Sequence, residues 1–174
     1  MVVKITKRYD KKIFRSFCIW CVNKIFVGTR FFKTKRKLLS LAGITIGKGS
    51  KVVGPIYIGG AAKLNIGNNT WIGKNFEILG NGSVCIGDGC DIAPHVIFAT
   101  GSHDIAADPN RRAGKGITYN ILVENGCWIG VRATIMGNTV IEAGSVVGAA
   151  SLVNKDVEQN TVSFGVPAKP YKKL

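Results

Sequence analysis

From Gly43 onward, apolar and polar positions follow a six-residue beat. Ile46, Val52, Ile58 and Leu64 open it, Ile66, Ile72, Ile78 and Val84 continue it, and Ile86, Ile92 and Phe98 follow. The blocks ITIGKGS (44–50), LNIGNNT (64–70) and VCIGDGC (84–90) align at a step of 20. After one break the beat returns without slips at Val123, Ile129, Ile135, Ile141, Val147 and Val153. Four residues after most beats the side chain is small or thiol-sized: Ser50, Thr70, Cys90, Cys127, Ala133, Thr139, Ser145 and Ser151. An internal repeat of this kind outranks local propensity. A strand of about three residues followed by a bend makes one side of a coil, and three sides return the chain to its start. The beat residue then points into a narrow triangular core, so it is apolar and branched. Gly and Asn at the bends tolerate left-handed backbone angles. Stacked coils pair their strands in parallel. The pattern predicts an all-β, parallel β-helix, and the lack of long helical patterns between strands excludes a doubly wound α/β fold.

Residues 1–42 obey a different period. Ile13, Phe14, Phe17, Cys18, Cys21, Ile25 and Phe26 recur at steps of three and four, the spacing of one apolar helix face. Lys11, Lys12, Arg15, Lys24, Lys33, Lys35, Arg36 and Lys37 flank them. The formal charge of +14 is concentrated here, where residues 1–40 hold half of the 24 Lys and Arg and a single acid, Asp10. Such a basic, amphipathic helix or helix pair suits a membrane interface, where each cation near an anionic surface adds about 1 kcal/mol. It equally suits packing on the body of the protein or on a partner subunit. No motif points to nucleic acid, and Trp20 and the Phe side chains read as buried rather than offered for stacking. The apolar run FCIWCV (17–22) is too short for a signal core or a membrane span, so no secretory leader is expected. Five cysteines in no framework spacing read as free thiols in a reducing compartment. Cys18-x-x-Cys21 has no second pair to complete a zinc site and reads as apolar filling.

The single break is ATGSHDIAADPNRRAGKGITYN, Ala99 to Asn120, which holds one of the two histidines, His103. From Phe98 to Val123 is one residue more than the beat allows, so an extruded loop at about 103–120 is expected to shift the register by one. Three parts follow: a helical segment (1–42), a β-helix (43–164) and a basic tail (165–174).

The stretch WIGVRATIMGNTVIEAGSVVGAASLVNKDV followed by FGVPAKPYKKL resembles the C-terminal signature of the hexapeptide-repeat, left-handed β-helix acyltransferases. The likeness is greatest to the galactoside, maltose and xenobiotic O-acetyltransferase branch and its relatives in capsule and O-antigen clusters. It covers roughly residues 43–174. The resemblance implies a left-handed coil, which the period alone does not give, since ordinary parallel crossovers are right-handed. It implies a homotrimer with active sites between subunits, acetyl-CoA as acetyl donor and a saccharide acceptor. It makes His103, in GSHD, the general base, and Asn75, in NFEIL, the residue that helps bind the acceptor hydroxyl. Coenzyme A contacts are implied on backbone near Ala149, on Asn154 and Lys155, and on Lys169 and Lys172 in the tail. Asn154 stands where the family commonly has Thr, Lys169 and Lys172 where it has Arg, and Val131 where Ser occurs. Lys meets a phosphate as a point charge and cannot make the bidentate contact of Arg. Residues 1–40 match no acceptor-binding helix of the galactoside and maltose enzymes. A lipid-linked saccharide or nascent cell-surface polysaccharide therefore suits the segment better than a free small sugar. The expectation is a cytoplasmic protein, with peripheral contact at the inner membrane face as one of the two roles open to residues 1–40.

Moving an acetyl group from a thioester to an alcohol needs a base near pH 7, donors for the oxyanion, and two substrates held close. Direct attack requires no Ser or Cys nucleophile. His95 lies nine residues after Ile86 and Asn75 nine after Ile66, so the two are expected to stack one coil apart. His95 then either lines the acceptor site or is an exposed corner residue. Asp104 and Glu124 are both candidates to orient the base. Arg111 or Arg112 either contacts an acidic glycan or cofactor phosphate, or belongs to a solvated loop. Trp128, in CWIG, matches the family's active-site tryptophan or packs between coils. A zinc carbonic anhydrase on the same fold needs three histidines, and this chain has two, so no metal is expected. N-acylation of an amino sugar on a nucleotide or lipid carrier, and a non-catalytic scaffold, are the competing functions.

Overall fold

The computed structural model describes residues 2–174, with side chains from Lys11 onward. Two helices, α1 (Val2–Lys24) and α2 (Phe32–Leu41), precede a parallel solenoid with three faces. The first face stacks Thr45–Ile46, Lys63–Ile66, Ser83–Ile86, Asn120–Val123 and Thr139–Ile141. The second stacks Lys51–Val52, Trp71–Ile72, Asp91–Ile92, Trp128–Ile129, Val146–Val147 and Thr161–Gly165, closed by the antiparallel strand Ala168–Lys173. The third stacks Ile56–Ile58, Phe76–Leu79, Ile97–Ala99, Thr134–Met136 and Leu152–Val153.

The register reproduces the sequence beat. Ile66, Ile86, Val123 and Ile141 align on the first face, Ile72, Ile92 and Ile129 on the second, and Ile78, Phe98 and Ile135 on the third. Every beat residue from Val52 to Val153 is buried, and Ile46 is half-buried. Each such side chain contributes about 1.5–3 kcal/mol of burial. The small residues form their own columns. Ser50 Oγ donates to Gly67 O (2.6 Å), Thr70 Oγ1 to Gly87 O (2.7 Å), Cys90 Sγ to Glu124 O (3.0 Å), Cys127 Sγ to Glu142 O (3.2 Å) and Ser145 Oγ to Glu158 O (2.6 Å). At this corner the strand ladder is interrupted, and a short side-chain donor satisfies the carbonyl of the next coil. The Cys127 thiol is pushed well above its ordinary range by pairing with Cys90 and by burial, so it serves as a neutral donor. All five cysteines are free.

The helices cap the open first coil. Cys18, Cys21 and Val22 turn inward and are buried. Arg15 donates to Ala62 O at 2.7 Å, and Asn23 brackets Ile56, donating to its carbonyl (2.7 Å) and accepting from its N–H (2.9 Å). The expectation of one aromatic face turned inward is corrected. Ile13, Phe14, Phe17 and Trp20 are exposed, Trp20 to 49%. The edge of α1 formed by Cys18, Cys21 and Val22 closes the first coil, and the bulky rings face away. Lys35 is likewise no flanking charge. It is buried, its Nζ donates to Gly28 O, and it lies 5.3 Å from the Phe32 ring centroid.

The break is a β-hairpin rather than an irregular loop. Gly101–Ile105 pairs antiparallel with Ala113–Thr118, beginning two residues earlier than the sequence suggested. Buried Thr100 pins its base, donating from Oγ1 to Leu79 O (3.0 Å) and accepting from Gly82 N–H (3.2 Å). The extra residue is absorbed inside the hairpin, because Asn120–Val123 re-enters in step with Ser83–Ile86. The exit depends on Gly80, at φ +105, where a Cβ would lie 2.4 Å from Gly101 N. Gly80→Val is expected to cost about 2–4 kcal/mol through backbone strain and that collision. Thermal unfolding would show it as a Tm drop on the order of 5–10 °C. An unchanged Tm would mean that the hairpin exit is not tightly packed.

Candidate active site

The solenoid has three long edges where its faces meet, and two of them carry the candidate chemistry. The hairpin leaves at the edge between the third and first faces. His103 sits on its first strand opposite Gly116, and the pairing shifts between His103 and Ile105. Such an irregularity re-aims the side chains on either side of it. Under the hairpin runs a groove of about 480 Å³ lined by Leu79, Gly80, Asn81, His103, Ile117 and Thr118. The His103 side chain is exposed and takes part in no hydrogen bond among the described residues.

The edge between the second and third faces carries a polar column. Asn75 (φ 56), His95 (φ 62), Arg132 (φ 60) and Ala150 (φ 54) occupy the same corner in successive coils. Neighbouring coils are about 4.8 Å apart. Asn75 Nδ2 lies 3.2 Å from His95 Nε2, which is the stacking the sequence spacing predicted. Left-handed angles at residues other than glycine cost about 1–2 kcal/mol each, and the coil's other bends carry the same angle at Asn69, Asn138 and Asn160. The sequence reading named Asn75 and His95 and missed Arg132. Its signal was present, since Arg132 follows Val123 by the same nine residues.

The third face lies between these two edges. Five residues of extended chain separate Asn75 from Gly80 at the hairpin base, about 16 Å at strand rise. One chain therefore does not bring His103 and Asn75 together. Glu124 is not at His103 either. It lies on the remaining edge, where Oε2 accepts from Ala143 N–H at 2.9 Å and holds a bend. Asp104 adjoins His103 on the hairpin and is exposed. Arg112 ties the hairpin tip, donating from Nη1 to Ala106 O (3.2 Å) and Ala107 O (3.0 Å), while Asp108 accepts from Asn110 N–H at 2.9 Å. Arg111 is exposed and leaves its guanidinium without a partner among the described residues. Trp128 is 56% exposed on the second face, so it stands outside the coil rather than between coils. Among the described residues there is no group of His, Cys, Asp and Glu that could hold a metal ion.

No family model matches the chain. It is 32% identical over 130 residues to the galactoside O-acetyltransferase of Escherichia coli strain K12, a match covering 75% of this chain and 64% of that one. The chain thus spans less than two thirds of that relative. It is 30% identical over 140 residues to WcaF of the same strain, a protein assigned to colanic acid biosynthesis as an acetyltransferase, over 79% of this chain and 73% of WcaF. A hexapeptide-repeat acetyltransferase of Vibrio cholerae, solved in complex with acetyl coenzyme A, matches with a TM-score of 0.79 at 29% identity, over 95% of this chain and 88% of that one. This chain belongs to the hexapeptide-repeat acetyltransferases. Its solenoid is their left-handed β-helix.

In this hexapeptide-repeat protein the residues tied by resemblance to coenzyme A fall near the C-terminal coils. Ala149 is exposed beside Ala150, at the end of the polar column. Asn154 and Lys155 are exposed on the edge from which the hairpin leaves, two coils further on. Lys169 and Lys172 lie on the last strand, also exposed. Lys173 is paired with Glu158 at 2.8 Å, whereas Lys155, Lys169 and Lys172 have no acidic partner among the described residues. Three unneutralised ammonium groups and an open backbone corner suit a ligand that carries several phosphates.

Proposed function

We propose that this protein transfers the acetyl group of acetyl-CoA to a hydroxyl of a saccharide, working as a homotrimer with its active sites between subunits. One observation carries the proposal: the base and the polar column lie on two different edges of one chain, separated by a whole face. Each edge is half a site, and a three-fold assembly would set the hairpin of one subunit against the Asn75 column of the next.

In this mechanism His103 takes the proton of the acceptor hydroxyl as its oxygen attacks the thioester carbon. The tetrahedral intermediate collapses with cleavage of the C–S bond, and the imidazolium returns the proton to the departing thiolate, giving free coenzyme A. A base so placed is worth about 10²–10⁴ in rate. Asn75 positions the acceptor hydroxyl, and His95 and Arg132 extend the binding row, with Arg132 and Arg111 offering charge to an acidic sugar. Coenzyme A runs past Ala149 and Ala150, its phosphates meeting Asn154, Lys155, Lys169 and Lys172. The acceptor is a cell-surface polysaccharide or its lipid-linked precursor, met on the cytoplasmic side of the membrane.

The test is thiol release from acetyl-CoA across a panel of neutral and acidic saccharides. The expected result is release that depends on a saccharide hydroxyl, with a product whose acetyl group is lost in mild alkali as an ester. No release with any acceptor, or an alkali-stable amide product, would overturn the reading.

A further inference from the structure

The N-terminal cap has a second apolar side that none of the described residues covers. Ile13, Phe17, Trp20 and Lys24 recur at helical spacing on α1, opposite the buried Cys18–Val22 edge, and Phe17 stacks on Trp20 with ring centroids 6.1 Å apart. Exposed Ile25 and Val27 continue the apolar surface into the turn before α2. There Phe26 meets Phe31 edge-on at 5.6 Å. Phe31 in turn forms one wall of a groove of about 580 Å³ between α2 and the first coil, lined also by Phe32, Lys33, Arg36, Lys48 and Lys51. The floor is aromatic and the rim is four cations, none paired with an acid among the described residues. From residue 11 to residue 76 the chain contains no Asp or Glu at all.

We infer that this cap is a docking surface for an anionic lipid bilayer, with the α1 stripe set among the acyl chains and the groove cations on lipid phosphates. Charge selects this occupant. A second copy of the chain carries +14 and would bring further cations to a surface that already has no carboxylate. Aliphatic Ile13, Ile25 and Val27 beside Phe17 and Trp20 match the boundary between headgroups and acyl chains, where an amphipathic helix lies flat. They offer nothing to a nucleic acid backbone. No helix among the described residues is long and apolar enough to cross a membrane, so the contact is peripheral. The inference deepens the reading of a membrane-associated acceptor, and its readout is independent of acetyl transfer.

The full-length protein is sedimented with vesicles of phosphatidylcholine alone and with vesicles containing phosphatidylglycerol. Binding is expected to the anionic vesicles only and to weaken as salt rises. The exposed pairs Phe17→Ser/Trp20→Ser and Lys48→Glu/Lys51→Glu should each weaken it by about tenfold or more. Thiol release with a soluble saccharide and the oligomeric state should stay as in the unsubstituted protein. Absence of binding to either vesicle, or wild-type binding by both variants, would overturn the inference. So would a changed oligomeric state in the Phe17→Ser/Trp20→Ser protein, which would make the stripe a subunit interface. So would tighter binding to an RNA or DNA oligonucleotide than to the anionic vesicles. A protein that docks on vesicles but releases no thiol refutes the acetyl-transfer reading and leaves this one standing.

Discussion

His103→Ala is expected to lower kcat for acetyl transfer by about 10²–10⁴-fold, while acetyl-CoA binding and Tm stay close to those of the unsubstituted protein. The geometry separates the two effects. The His103 side chain is exposed, lies on a hairpin strand whose pairing is backbone to backbone, and takes part in no hydrogen bond among the described residues. Removing an exposed side chain of this kind changes stability by no more than about 0.5 kcal/mol. His95→Ala is the informative companion. That ring touches Asn75 at 3.2 Å and lies on the polar column, so its loss should raise the KM for the acceptor and spare most of kcat. Initial rates at saturating acetyl-CoA with varied acceptor distinguish the pair. A His103→Ala protein with near-normal kcat would remove the base from the mechanism. A His95→Ala protein with the larger loss in kcat would exchange the roles of the two histidines.

The repeat was legible because each beat position meets the same surroundings. Ile78, Phe98 and Ile135 stack in one column, so one physical requirement is written into the chain at fixed steps. The hairpin was legible only as an interruption. Strand Gly101–Ile105 is exposed along its whole length and so carries no alternation to betray it. What holds it is Thr100 beneath and backbone pairing with Ala113–Thr118, neither of which leaves a periodic trace. The helical period of α1 was equally plain, but its inward side was not. Apolar residues occupy both sides of this helix, and bulk suggested that the aromatics turn in. Cys18, Cys21 and Val22 turn in against the first coil instead. Arg132 escaped because its offset becomes meaningful only when Val123 is known to re-enter in step with Ile86.

Co-expressing His103→Ala with Asn75→Ala is expected to restore about a quarter of the wild-type rate, although each variant alone is nearly inactive. The reasoning is combinatorial. If the hairpin of one subunit completes the column of the next, an intact site needs a hairpin from a chain with His103 and a column from a chain with Asn75. Random assembly of two equally abundant chains places that pair at about one interface in four. If His103 and Asn75 acted within a single chain, no mixture of the two variants would hold both residues, and the rate would not recover. The separation of the two edges by the third face favours the first outcome, since neither the hairpin nor the Asn75 corner has a short route to the other in one chain. Purifying the mixed assemblies through different tags on the two chains and measuring thiol release per site decides it. Each purified mixed trimer holds one intact interface in three, so recovery near a third per site establishes the shared site, and failure to recover in demonstrably mixed trimers returns the active site to one subunit.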